Sequence, residues 1–136
     1  MKNDIERETA IKFSKDMIEI GFDLDFSIDS LSLIDEILDS NQVCFSDDSK
    51  TGWSNQAGLE AYVGETLVRC YSGRWAGEFN AVNPGPNFYC SHISIGDYDH
   101  YPSHFLGYRI SNGKSYEGTY SEYLKKIIPF CERRSK

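Results

Sequence analysis

The chain has 136 residues, is 40% apolar and 14% aromatic, and carries a net charge of −7. That length suits one domain spanning 1–136, nine Tyr and eight Phe exclude a disordered chain, and the acidity argues against nucleic acid as a direct partner. The opening M-K-N-D-I-E-R-E lacks an apolar signal region and no stretch approaches a membrane span, so a cytoplasmic protein without a membrane partner is expected.

Residues 4 to 20 predict an amphipathic helix. Ala10, Phe13, Met17 and Ile20 share one face, and Lys12–Asp16 is among the i,i+4 pairs on the others. Gly21 is a natural stop. Phe22 to Ile28 alternates apolar and acidic residues, which predicts a short half-buried strand or extended link. A second helix is expected from about Asp29 to Ser40. Leu31, Ile34, Ile37 and Leu38 would be buried, and Asp35, Glu36 and Asp39 would point out. Asn41 to Trp53 reads as a polar connector.

Gly58 to Trp75 is the stretch around which the chain is organised. Leu59, Tyr62, Val63, Thr66, Leu67, Cys70 and Tyr71 recur at spacings of three and four, so one helical face must be buried. Ser54 and Asn55 are candidate N-caps and Gly73 a candidate C′ residue. Gly58 and Gly64 each cost roughly 1 kcal/mol against Ala, which is tolerable if another backbone passes close by. Glu65 and Arg69 can bridge at i,i+4, and Glu65 can tie the helix to the following hairpin through Trp75 or a buried Tyr hydroxyl. Glu65, Arg69, Gly64 and Trp75 therefore read as structural.

Residues 75–95 predict a hairpin turning at N-P-G-P-N (Asn83 to Asn87), with Gly96-Asp97 breaking it. A short helix is expected from Pro102 to Ser111, closed by Asn112-Gly113. Thr119-Tyr120-Ser121-Glu122 matches a capping box for a last helix. Tyr120, Tyr123, Leu124, Ile127 and Ile128 form its stripe, and Pro129 helps to stop it. The expected fold is α+β, with about five helices packed on a small antiparallel sheet centred on the hairpin.

Chemistry is sparse. Cys90, His92, His100 and His104 could form a metal or thiol site, but their spacing matches no ligand signature and no helix N-terminus activates the thiol. Cys44, Cys70, Cys90 and Cys131 never occur as C-x-x-C and read as reduced thiols. No G-x-S-x-G, P-loop or G-x-G-x-x-G appears. No metal or other cofactor is expected. The second half is rich in tyrosines, including Tyr89, Tyr98, Tyr101, Tyr108, Tyr116 and Tyr120, a residue favoured at protein interfaces.

Charge distribution says more. From Asp16 to Ser49 stand Asp16, Glu19, Asp23, Asp25, Asp29, Asp35, Glu36, Asp39, Asp47 and Asp48, with no Lys or Arg between them. Such a run is either a solvated face or a surface that steers a basic partner into contact.

The stretch G-L-E-A-Y-V-G-E-T-L-V-R-C-Y-S-G-R-W resembles a small bacterial domain whose mark is G-x-Y-x-G-E-x-L followed by Gly and Trp. Upstream, Ser30-Leu31, Asp35 and Leu38 match its S-L-x-x-x-D-x-x-L helix, and the likeness spans roughly 24 to 128. Here Ala61 precedes Tyr62, so the first Gly stands further upstream, at Gly58. The domain occurs among immunity proteins of contact-dependent growth inhibition and related polymorphic-toxin systems. It brings no catalytic residues with it. The resemblance implies a small acidic cytosolic protein, not an enzyme, that neutralises a toxin by binding its C-terminal domain. The toxin-binding residues expected on this view are Asp23, Asp25, Asp29, Asp35, Asp39, Asp47, Asp48 and Trp53. A small metal- or thiol-dependent hydrolase built on Cys90, His92, His100 and His104 is the alternative.

Overall fold

The computed structural model describes residues 2–40, 42–43, 45, 50–77, 91–100 and 120–134. Among them are four α-helices and a three-stranded antiparallel sheet, an α+β arrangement. The helices are α1 (Lys2–Glu19), α2 (Leu33–Asp39, entered through a 3-10 turn at Asp29–Ser32), α3 (Lys50–Tyr71) and α4 (Tyr120–Arg134). The strands are β1 (Arg74–Gly77), β2 (Ser91–Ile95) and β3 (Tyr98–His100), in the order β1-β2-β3. The helix expected at 102–111 lies outside the described residues, as does the N-P-G-P-N turn. No helix among the described residues is long and apolar enough to cross a membrane.

α1 ends as its glycine predicts. Gly21 has φ +103, the Gly21 amide donates to Ile18 O at 3.1 Å, and the Phe22 amide donates to Met17 O at 2.9 Å. These two bonds satisfy carbonyls that the last helical turn leaves open. Ile20, expected on the buried face, falls beyond the helix end and is exposed. α3 begins earlier than its apolar periodicity, at Lys50, so Ser54 and Asn55 lie inside the helix and do not cap it. Its C-terminus also departs from expectation. Ser72, not Gly73, takes the left-handed conformation, at φ 56, while the Gly73 amide donates to Val68 O at 3.0 Å. Gly73 is required for contact instead. A Cβ there would sit 2.8 Å from Ile95 Cγ1 and 2.9 Å from Ser94 O, so β2 passes against it.

The hairpin expectation is met in part. β1 and β2 pair antiparallel, with Trp75 opposite Ile93 and Ala76 opposite His92. Gly96-Asp97 turns the chain rather than ending the sheet. Ile95 pairs with Tyr98 across it, and Gly96 has φ +61, the first-position requirement of a tight hairpin turn. Pro129 does not stop the last helix, which runs on to Arg134. Both Pro129 and Lys125, whose carbonyl loses its partner to the missing amide, are exposed, so water can satisfy that oxygen.

The core joins Phe13 and Met17 of α1, Leu31, Ile34 and Ile37, the α3 residues Leu59, Tyr62, Val63 and Leu67, the strand residues Trp75, Ile93 and Ile95, and Leu124, Ile127 and Cys131 of α4. α3 lies at its centre and packs most extensively against α1. The α3 glycines are seats for aromatic rings rather than for a second backbone. A Cβ on Gly58 would stand 2.7 Å from Phe13 Cδ1, and one on Gly64 would run into the Trp75 ring. Arg7 lies opposite Glu65 and Phe13 opposite Gly58, so α1 runs antiparallel to α3.

Candidate functional site

The acidic stretch that follows α1 is held by α3 from beneath. Tyr62 is fully buried, and its hydroxyl accepts the Phe26 amide at 2.9 Å. The same hydroxyl lies 2.6 Å from Ser30 Oγ, which itself donates to Ser27 O at 2.6 Å. The protons therefore run one way: Phe26 N–H to Tyr62, Tyr62 O–H to Ser30, Ser30 O–H to Ser27 O. Burial, partly offset by these bonds, raises the Tyr62 phenol above its ordinary range, so it stays a hydroxyl. Phe26 sits at φ 65, a conformation a bulky residue seldom takes, and the surroundings over-determine it. Its ring lies 4.8 Å from that of Tyr62, and the Arg69 guanidinium stands over it at 4.0 Å from the ring centroid. Ser14 Oγ donates to Leu24 O at 2.6 Å, fixing the same stretch to α1.

On this platform Asp23, Asp25 and Asp29 are exposed, as are Glu36 and Asp39 on α2. Asp25 Oδ1 accepts both the Ser27 hydroxyl at 2.6 Å and the Ser27 amide at 3.0 Å. These bonds, the hydroxyl first, hold its carboxyl below the ordinary aspartate range. Asp35 departs from the expected acidic face. It is 9% exposed and shares the covered side of α2, which packs against α4, with buried Ile34 and Ile37. Asp47 and Asp48 lie outside the described residues. The Trp53 backbone falls in the first turn of α3, and its side chain also lies outside the described residues.

Glu65 is a second focus. It is 1% exposed, and its oxygens are divided among three donors. Oε1 accepts Trp75 Nε1 at 3.0 Å; Oε2 accepts Arg69 Nε at 2.8 Å and lies 3.5 Å from Arg7 Nε. The carboxylate joins α1, α3 and β1 at one point. Reading the i,i+4 spacing finds Arg69, and the placement of Trp75 after the helix end finds the indole. Arg7 comes from a distant segment, and no local spacing points to it.

Of the four residues of a metal or thiol site, the two that are described, His92 and His100, do not come together. Cys90 and His104 lie outside the described residues. His100 pairs with Ile93, and His92 is Ile93's neighbour along β2, so the two imidazoles point to opposite faces of the sheet. Among the described residues no three His, Cys, Asp or Glu side chains converge as metal ligands. Of the four cysteines, Cys70 and Cys131 are described, both as free thiols. Cys70 is exposed rather than on the buried stripe, donates to Phe26 O at 3.7 Å, and is pushed up by partial burial, the opposite of an activated thiolate. Of the tyrosines singled out above, Tyr98 stacks on Phe130 at 5.9 Å at the edge of the core.

The chain matches no family model, no curated protein and no solved structure. The immunity-domain resemblance accordingly stands on its motif residues alone.

Proposed function

We propose that this protein is a non-enzymatic immunity protein, which binds the C-terminal toxin domain of a bacterial effector and covers its active site or substrate groove with an acidic surface. One observation carries the reading. From Asp16 to Asp39 the chain exposes Asp16, Glu19, Asp23, Asp25, Asp29, Glu36 and Asp39 and supplies no Lys or Arg of its own. Arg69, which packs on this stretch at Phe26, is engaged by Glu65. Lys12 meets only the margin, at Asp16.

Such a surface complements the basic groove of a toxin that acts on nucleic acid. Complementary charge speeds encounter and fixes orientation, and desolvated anchors at the centre hold the complex. The stretch is also preorganised by Tyr62 and Ser30, which lowers the ordering cost of binding. The protein would act in the cytoplasm, with the toxin domain as its partner and without cofactor, nucleic acid or membrane.

The test begins with the neighbouring genes: an effector encoded there supplies the toxin domain for a binding titration, and the lack of one counts against the reading. Changing Asp23, Asp25, Asp29 and Asp39 to Lys should weaken binding and its salt dependence together. Unchanged affinity would overturn the acidic-surface mechanism. Turnover of a substrate, lost on replacing His92 or His100, would instead favour the hydrolase.

A further inference from the structure

α3 buries a second carboxyl that has none of the partners of Glu65. Glu60 is 1% exposed and Gln56, one turn before it, 3%. Gln56 Nε2 donates to Glu60 Oε1 at 2.9 Å. The remaining two oxygens, Gln56 Oε1 and Glu60 Oε2, are both buried without a hydrogen-bond partner. An unpartnered buried oxygen of this kind does not suit an ionised carboxylate. A buried anion needs countercharge or several donors, and this one would have a single neutral amide. As the acid, Glu60 gains a proton on Oε2 and loses the charge that makes burial costly.

Among the described residues no countercharge is paired with Glu60. α1 runs antiparallel to α3, with Arg7 level with Glu65 and Phe13 level with Gly58. It therefore brings residues 10 to 12 to the level of Glu60; Ala10 is buried there, and Lys12, the ionisable one, is exposed and pairs with Asp16. The ionisable groups that the packed elements carry include Glu6 and Arg7 on α1, Arg74 on β1, His92 on β2 and Glu132 on α4. None contributes to the state of Glu60 among the described residues. Its carboxyl is pushed up to about 8 by burial, opposed only by the Gln56 amide.

We infer that Glu60 is a proton-carrying latch: the folded protein holds its carboxyl as the neutral acid, and parting α3 from the layers that cover it releases that proton to water. The sign follows from linkage. Unfolded, the carboxyl titrates near about 4.3. Between there and 8 the folded state holds one proton more than the unfolded state, so stability falls as pH rises. Below that window the contribution is fully present, and above it the contribution has been lost. The fold is loosened by mild alkali through a single buried group.

The experiment is urea denaturation of the full chain from pH 5 to 9, comparing it with Glu60→Gln. The variant keeps the shape and cannot ionise. The native protein should lose up to about tenfold in its folded-to-unfolded ratio per pH unit inside the window. Glu60→Gln should remove that portion of the slope and become the more stable of the two at pH 8. Parallel slopes would overturn the inference. Carboxyl carbon NMR of the unmutated protein decides the matter even if the variant fails to fold. A neutral-acid glutamate signal at pH 7 is expected, and only ionised glutamates at that pH would refute it.

Discussion

Trp75 Nε1 donates to Glu65 Oε1 at 3.0 Å across the seam between α3 and β1, while its ring lies over Gly64, the residue before that glutamate. One side chain thus uses both of its characters on two consecutive helix positions. The ring takes the space a Cβ would fill, and the indole N–H meets the carboxylate beside it. This pairing sets where the sheet sits on the central helix.

Replacing Glu65 by Ala leaves a buried indole N–H without an acceptor and releases Arg7 and Arg69. A loss of about 2–3 kcal/mol is expected, dominated by the indole, since both guanidiniums reach water. Glu65→Gln keeps an acceptor for Trp75 and should cost about half as much. Urea denaturation followed by Trp fluorescence measures both.

Gly64→Ala tests the seat. Helix propensity alone predicts a gain of roughly 1 kcal/mol. The Trp75 ring occupies the site, so a net loss of about 1–3 kcal/mol is expected instead. In a Trp75→Leu background the same change should cost less, and a double-mutant cycle reports the difference. Additive effects would mean that the ring and the glycine are independent.

Ser72→Gly should stabilise the protein by roughly 0.5–1 kcal/mol. Ser72 sits at φ 56, where a side chain is strained and glycine is not. Gly73→Ala, one residue on, should destabilise it, because β2 fills the space at that position. Opposite signs in thermal unfolding at adjacent positions would separate conformational from steric demand.

Tyr62→Phe removes the acceptor for the Phe26 amide and the donor to Ser30. A loss of about 1–3 kcal/mol is expected. Amide exchange at Phe26 should rise more than at Leu67, deeper in α3. The same variant should weaken toxin binding if the acidic stretch acts as a preorganised surface.

Much of the architecture was readable from spacing. The apolar faces of α1 and α3, the stop at Gly21, the Glu65–Arg69 bridge and the β1–β2 pairing are local patterns, and each can be seen within a few turns of helix or a few residues of strand. The misreadings share a cause. Gly73 looked like the helix terminator because glycine commonly is one, yet the close approach of β2 claimed it and left the left-handed position to Ser72. Pro129 looked like a stop, yet its exposed side of α4 lets water replace the missing bond. The Gly-Asp pair after Ile95 looks like a break, yet it makes the tight turn that pairs Ile95 with Tyr98.

The charge run after Asp16 is a property of the sequence itself, since no folding can bring a Lys or Arg into that stretch of chain. Which of its carboxylates face solvent was settled by packing, which turned Asp35 inward and kept Asp23, Asp25 and Asp29 outside. The same holds for the two glutamates of α3. Five residues apart, they are alike on a linear reading; one receives an indole and two guanidiniums and the other a single amide. Spacing reports which face of an element is covered, whereas the partners that a buried carboxyl meets come from segments far away in the chain, and only the assembled fold brings them within reach.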